Sequence, residues 1–274
     1  MLRAILNEQK SNAKIIAKIE MPEALTNIRD LIIASDAIMI ARGDLGVELP
    51  VEKIPLIQKE LIRKCIHRAK PVIVATQMME SMIDRVKPNR SEITYVANAV
   101  IEGADAVMLS GETATGQFPV LVIETMRKII HEVEQNGYKY NRADDFKPQS
   151  HSPSFLSDAV CYNACKVAEQ VGAKSVMTMT HSGYNAFKIS SFRPPSKICI
   201  FTSNRTILNT LSLLWGVRGY YYNDFVSTDD TIADITNVIK LKKVVKEGDF
   251  VVNIASMPIT QKGMTNMMKI SRVK

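Results

Sequence analysis

A repeating order of short apolar run, polar cluster and helical stretch constrains this chain more than any other feature. The runs Ile15-Ile16-Ala17, Ala37-Ile38-Met39-Ile40, Pro71-Val72-Ile73-Val74 and Ala106-Val107-Met108-Leu109 begin at residues 15, 37, 71 and 106. That spacing fits one strand plus one returning helix per repeat. Uninterrupted apolar runs suit strands covered on both faces, as in parallel sheets. Between the runs the period changes. Over 51–69, Ile54, Ile57, Leu61, Cys65 and Ile66 fall near one face of a helix. A further helix starts near Ser91, with Val96, Val100 and Ile101 as its stripe, and Gly103 stops it. Pro119 opens another, running to about Glu134.

The stretch from Asn136 to Pro153 breaks the pattern. It is polar, lacks apolar periodicity and carries Gly and Pro, so it reads as a linker. Alternation then resumes. Residues 155–171 read as a helix, and 175–179, 197–201, 217–222, 250–255 and 267–273 as strands with helical stretches between. The expected organisation is therefore residues 1–137, a linker at 138–153, and a second α/β domain at 154–274, large enough for its own core.

Composition excludes several classes. Apolar residues make up 46% and charged residues 23%, which argues against disorder. The net charge of +7 is spread among acids, with one small cluster at Lys242, Lys243 and Lys246, so no nucleic-acid partner is expected. No apolar run reaches the roughly 18 residues of a membrane helix, so no membrane role is expected either. The cysteines at 65, 161, 165 and 199 form no CxxC pair and read as reduced core thiols. With no signal peptide in view, this favours a cytoplasmic setting. His67, His131, His151 and His181 show no ligand spacing.

Each run of the first half ends in chemically useful residues. The first leads into Lys18-Ile19-Glu20, placing an ammonium and a carboxylate on one side of a strand end. The second leads into Arg42-Gly43-Asp44, the third into Thr76-Gln77, the fourth into Ser110-Gly111-Glu112. If these are neighbouring strands of a β/α barrel, Lys18, Glu20, Asp44, Thr76 and Ser110 face one mouth. Two carboxylates there suit Mg²⁺, which leaves room for substrate oxygens. A lysine beside the metal neutralises charge on a phosphoryl group or an enolate. Gly43 permits close approach to the backbone, and the amides of Gly43 and Asp44 suit a carboxylate. Each motif alone is as well explained by a solvated strand or an ordinary turn. Their recurrence at the same position in four repeats favours function.

These strings resemble the pyruvate kinase family. IIAKIEMPEAL is similar to its signature around the catalytic lysine, and SDAIMIARGDLGVELP to its metal-binding strand end. PVIVATQMMESM and NRSEITYVANAVIEGADAVMLSGETATGQFP are similar to its next two units. MTHSGYNAFKISSFRPP, LLWGV, GDFVV and KGMTNMMKI resemble its C-terminal domain. The resemblance spans essentially the whole chain. It implies the C-terminal four βα units of a TIM-type (β/α)8 barrel, then a separate three-layer α/β domain with a mainly parallel five-stranded sheet. It implies phosphoryl transfer between phosphoenolpyruvate and ADP to give pyruvate and ATP, in a homo-oligomer that is a tetramer across the family. Lys18 resembles the catalytic lysine, Glu20 and Asp44 the ligands of Mg²⁺ or Mn²⁺, and Gly43, Asp44 and Thr76 the carboxylate site. Ser110 resembles a residue on the proton path to the enolate carbon, and Arg90 one at a subunit contact.

The sequence also departs from the family pattern. Residues 1–6 resemble the helix before the fifth barrel strand, so the first half barrel, the nucleotide-binding arginine, the K⁺ ligands and the lid domain have no counterpart here. Four strands cannot close a barrel, so the chain alone is expected not to turn over substrate. Thr180, Ser182, Gly183 and Asn185 open a helix after a strand and resemble the loop that grips a sugar-phosphate effector, with Lys262 as a further phosphate contact. The family often has Ser or Thr where Asn185 stands. An ordinary helix cap explains the same residues. The competing functional reading is a non-catalytic effector-binding or subunit-assembly module. An aldolase-like β/α barrel explains the repeats but not the C-terminal strings.

Overall fold

The computed structural model describes residues 2–136, 146–224, 227–257 and 264–274. The chain forms two compact units, Met1–Lys139 and Tyr140–Lys274. Lys262 lies outside the described residues, as does the start of the expected linker.

In the first unit, four parallel strands stand in sequence order: β1 (Ile16–Ile19), β2 (Ala37–Ala41), β3 (Val72–Ala75) and β4 (Ala106–Val107). The helices are α1 (Leu2–Glu8), α2 (Pro22–Thr26), α3 (Ile28–Ala34), α4 (Arg42–Glu48), α5 (Ile54–His67), α6 (Arg90–Glu102), α7 (Gly111–Ala114) and α8 (Pro119–Asn136). Alternation along the strands sorts the side chains into two faces. Ile19, Ile38, Ile40, Val72 and Val74 face the helices. They share one core with Leu61, Ile62 and Cys65 of α5, Val96 and Ala99 of α6, and Val122 and Met126 of α8. The register aligns Ile16 with Ala37, Lys18 with Met39, and Met39 with Ile73, so these residues line the other face. None of them belongs to that core, and Ile16 is 44% exposed.

Local chemistry sets the helix ends. Asn89 and Glu92 form a reciprocal capping box at the start of α6, and Gly103 ends it with φ +100, a conformation that favours glycine. The helix expected over 51–69 begins with a short 3-10 turn at Val51–Lys53 and then becomes α5. The Arg42-Gly43-Asp44 motif after β2, for which an ordinary turn is the competing reading, opens the helix α4.

The second unit is a three-layer α/β sandwich. Its sheet contains β5 (Ser175–Met179), β6 (Lys197–Thr202), β7 (Val217–Tyr221), β8 (Phe250–Ala255) and β9 (Met267–Arg272), ordered β7-β6-β5-β8-β9. Only β9 runs antiparallel, against β8. Val176, Ile198, Ile200, Val252 and Ile254 pack against α9 (Phe155–Gln170), α10 (Tyr184–Phe192) and α11 (Arg205–Leu211). Met177, Cys199, Phe201 and Val251 pack on the other face against Ile235 and Ile239 of α12 (Thr228–Leu241). All four cysteines are buried and free. Trp215 is a partly buried aromatic at the edge of the first of these cores, with the Arg193 guanidinium 5.3 Å from its ring centre.

Phe146, from the stretch expected to be linker, joins this unit. Its ring lies 5.0 Å from that of Phe192 and 5.5 Å from that of Tyr162. Lys188 reaches between these rings, 4.5 Å from the Phe146 centre, and ends 3.1 Å from Asp158 Oδ2. The Tyr184 hydroxyl donates to Asp158 Oδ1 at 2.5 Å. Both charged side chains are only 11% exposed. Removing one partner leaves an uncompensated buried charge. Asp158→Ala is therefore expected to cost about 3 kcal/mol of stability, read from Trp215 fluorescence during urea unfolding. Adding Lys188→Met should restore most of it; equal losses in the single and double variants would exclude the charge pair as the cause.

Burial, with the Asp158 carboxylate second, pushes the Tyr184 phenol up to about 12. The unfolded chain releases that proton near the ordinary value of 10.0. Stability from this group is thus complete below about 10 and declines as pH rises toward 12. Tyr184→Phe should flatten the stability profile over that window, and an unchanged slope would contradict this account.

Candidate active site

The chemistry-bearing residues of the first unit gather where the parallel strands end. Lys18 alternates with the fully buried Ile19, so its side chain leaves the sheet on the face away from the helices. Glu20 follows the strand and returns to the same side. Asp44 sits in the first turn of α4, which begins as β2 ends. The Lys18 ammonium pairs with the Glu20 carboxylate and, at 3.0 Å, with Asp44 Oδ2. Hydrogen bonds to Glu20 first and Asp44 second hold Lys18 above its ordinary pKa, so it stays a cation. All three side chains are 39–52% exposed and reachable by a ligand.

Two hard carboxylates converging on one cationic point fit a divalent metal such as Mg²⁺ in donor type and number. Among the described residues no group of three or more His, Cys, Asp or Glu side chains forms a complete metal cage. The remaining oxygens of such a shell would have to come from water or a ligand.

Beside this cluster the Gly43 amide donates to Thr76 Oγ1 at 2.8 Å, and the Thr76 hydroxyl donates to the Ala75 carbonyl at 2.6 Å. Thr76 and Gln77 both adopt left-handed backbone, with φ +68 and +52. That is a steric outlier for a β-branched residue. Arg42, 8% exposed, donates from Nη2 to the Thr76 carbonyl at 2.7 Å and to that of Gln77 at 3.1 Å. Its guanidinium carbon lies 5.3 Å from the Tyr95 ring centre. Burial lowers its pKa below the ordinary arginine value, and it remains charged.

The third and fourth strand ends are joined by Glu112. Its carboxylate, 5% exposed, accepts from the Ser110 amide at 2.7 Å and the Met79 amide at 3.3 Å. Glu92 acts similarly one loop further on, accepting from the amides of Ser81 and Asn89 and from the Ser81 hydroxyl. Lys18, Glu20 and Asp44 thus form one cluster, and Gly43 and Thr76 a bonded pair adjoining it through Asp44. Ser110 is exposed at the end of the fourth run, and among the described residues it bonds directly to neither group. Arg90 is the first residue of α6 and is exposed.

In the second unit, Thr180 Oγ1 accepts from the Gly183 amide at 2.9 Å, and Ser182 Oγ from the Tyr184 amide at 3.3 Å. Gly183 has φ +87 and directly precedes α10. Asn185 turns inward. It is 7% exposed and donates to Thr265 Oγ1 at 2.7 Å and Thr178 Oγ1 at 3.3 Å.

Arg42 and Glu112 stand within the strand-end motifs, where no sequence signal marks a role for either. The Asn89-x-x-Glu92 spacing is a readable capping signal for Glu92. No comparable pattern marks a carboxylate or guanidinium that bonds backbone 33 to 35 residues away. Loss of Glu112 takes the acceptor from the buried Met79 amide and from the part-buried Ser110 amide. Glu112→Ala is expected to lower the stability of the first unit by about 2–3 kcal/mol, and Glu112→Gln, with one acceptor oxygen retained, by about half of that. Hydrogen exchange in the first unit measures both; a neutral Glu112→Ala would disprove the bridging role.

Fold and site together define a β/α protein with a Lys18–Glu20–Asp44 charge cluster at the carboxyl ends of parallel strands. Two family patterns match the chain: "Pyruvate kinase, barrel domain" over residues 1–123 and "Pyruvate kinase, alpha/beta domain" over 158–271. A pyruvate kinase of Corynebacterium glutamicum is 37% identical over 98% of this chain and 55% of its own length. One of Clostridium acetobutylicum is 38% identical over all of this chain and 58% of its own. The crystal structure of a pyruvate kinase from Cryptosporidium parvum superposes with a TM-score of 0.88 at 37% identity, covering 96% of this chain and 52% of that one. The chain belongs to the pyruvate kinase family, and it spans about half the length of the curated relatives it matches.

Proposed function

We propose that this chain carries part of the phosphoryl-transfer site of a pyruvate kinase, an enzyme that acts on phosphoenolpyruvate and ADP. The observation that carries the reading is the Lys18 ammonium held between the Glu20 and Asp44 carboxylates at the ends of two adjacent parallel strands. Glu20 and Asp44 would hold Mg²⁺ or Mn²⁺, which supplies charge neutralisation to phosphoryl and enolate oxygens. Binding it requires Lys18 to leave the point on which both carboxylates now converge.

The residues of the chain then divide the work. In the reaction the enol C–O–P linkage breaks at phosphorus and a bond forms to a terminal oxygen of ADP. The released Lys18 ammonium faces the negative charge of the phosphoryl group and of the enolate left behind. The substrate carboxylate takes over the Gly43 amide from Thr76 Oγ1 and gains the Asp44 amide; the Thr76 hydroxyl turns from the Ala75 carbonyl to donate to it. Ser110 serves the proton path to the enolate carbon. The family resemblance adds K⁺, a cytoplasmic setting and a homotetramer, with Arg90 at a subunit contact.

The residues 1–137 correspond in this reading to four βα units of an eight-stranded barrel, and the stretch 138–153 leads into a C-terminal domain over 154–274, against which Phe146 already packs. The sheet has open edges at β1 and β4, and its non-helical face exposes Ile16. A four-stranded sheet does not enclose a barrel mouth, and we infer that this chain by itself does not turn over substrate. A second role is carried by the other unit, which has two cores of its own. There Thr180, Ser182 and Gly183 present hydroxyls and amides at the start of α10, suited to a sugar-phosphate effector. Asn185 acts beneath them by tying in Thr265, and the family resemblance adds Lys262 as a further phosphate contact.

The deciding experiment is turnover of phosphoenolpyruvate and ADP by the folded chain with Mg²⁺ and K⁺, alongside Mn²⁺ binding followed by electron paramagnetic resonance. Mn²⁺ should bind, and weaken at least about tenfold in Glu20→Gln or Asp44→Asn, one charged ligand contact being worth at least about 1.4 kcal/mol. Absence of Mn²⁺ binding would sink the metal site. Metal-dependent turnover that Lys18→Ala abolishes would overturn the inactivity of the isolated chain while upholding the site.

A further inference from the structure

We infer that Arg42 is a positioning residue, whose buried guanidinium clamps the strained Thr76–Gln77 turn and so sets the Thr76 hydroxyl against the Gly43 amide. The inference rests on the reading of Gly43, Asp44 and Thr76 as the seat of a substrate carboxylate. It adds a residue that touches no substrate in that reading.

Three observations converge on it. First, Thr76 and Gln77 are consecutive non-glycine residues at φ +68 and +52. Such backbone persists only where surrounding structure over-determines it, and it collects at ligand-binding sites. Second, the carbonyls of these same two residues are the acceptors of Arg42 Nη2, at 2.7 and 3.1 Å. A planar, permanently charged donor can hold two carbonyls in one fixed direction, which a lysine ammonium does less well. Third, Arg42 is the direct chain neighbour of Gly43, whose amide meets Thr76 Oγ1 at 2.8 Å. One residue therefore grips the turn from behind while the amide of the next donates to the hydroxyl oxygen that the turn presents. The Tyr95 ring, 5.3 Å from the guanidinium carbon, flanks the clamp and favours a delocalised cation there.

The competing account makes Arg42 a core filler. The two accounts part on rescue. Gln77 is exposed, so its side chain is dispensable, and a glycine at this position takes φ > 0 without steric cost. If Arg42 works by holding the turn, Gln77→Gly must compensate for its loss. If it only fills space, Gln77→Gly changes nothing.

The test uses the whole chain, with Arg42→Lys, Gln77→Gly and the double variant. Three quantities are read: hydrogen exchange at the Gly43 amide, Mn²⁺ affinity, and phosphoenolpyruvate affinity in the presence of Mn²⁺. Arg42→Lys should speed Gly43 exchange and weaken phosphoenolpyruvate binding, each about tenfold, for hydrogen bonds from a charged group. Mn²⁺ affinity should stay within about twofold, since Arg42 makes no bond to Glu20 or Asp44. The double variant should recover most of the Gly43 protection. Unchanged Gly43 exchange in a folded Arg42→Lys chain overturns the inference, and so does a double variant that recovers nothing. If Arg42→Lys alone does not fold, folding of the double variant is itself the rescue; failure of both assigns Arg42 to the core and overturns the clamp. A native chain that binds Mn²⁺ but not phosphoenolpyruvate removes the carboxylate-seat reading, and Gly43 exchange still decides the role of Arg42.

Discussion

The loops at the strand ends depend on buried charges that bond backbone, not other charges. Arg42 holds two carbonyls, Glu112 two amides, and Glu92 two amides and a hydroxyl. An ion in a water-poor setting needs its hydrogen-bonding capacity filled, and a loop needs its polar groups satisfied. Each requirement answers the other in large part, although the buried Arg42 Nε has no hydrogen-bond partner among the described residues. The result joins the ends of β2, β3 and the fourth run without a sheet ladder between the loops.

This arrangement separates support from chemistry. The groups available to a ligand, Lys18, Glu20 and Asp44, are about half exposed and, among the described residues, paired with one another. Their pairing is strong enough to raise Lys18 and to fix its direction, yet an exposed ion pair is worth little to stability. A metal or substrate can therefore rearrange it without threatening the fold. The strain at Thr76 and Gln77 lies between the two layers, held by a buried arginine and opening toward the exposed cluster.

The second unit follows a different economy. Its sheet is covered on both faces, and its buried Asp158–Lys188 pair reaches back to Phe146, a residue from the stretch whose composition suggested only a connection. Asn185, which sequence placed at a ligand, faces the interior and secures Thr265, 80 residues away. Its polar side chain is as suitable for a buried hydrogen-bond bridge as for a phosphate. Composition cannot distinguish the two.

Much of the architecture was legible in the sequence. Apolar runs bounded by Gly, Pro and polar clusters marked the well-buried strands β2, β3, β5, β6 and β8, because burial on both faces of a parallel strand demands mostly apolar residues, whereas the edge strands β7 (VRGYY) and β9 (MMKISR) are largely exposed and carry no such run. The family strings also named the residues at the strand ends. Tertiary structure alone decided how those residues meet: the turn of Arg42 back onto Thr76 and Gln77, the bridge of Glu112 to Met79, the start of α4 at Arg42, and the inward turn of Asn185. The reason is physical. Burial of an apolar side chain depends on its own neighbours along the strand, which sequence displays. A charged side chain that satisfies backbone some 35 residues away depends on the register between strands, and register exists only once the chain has folded.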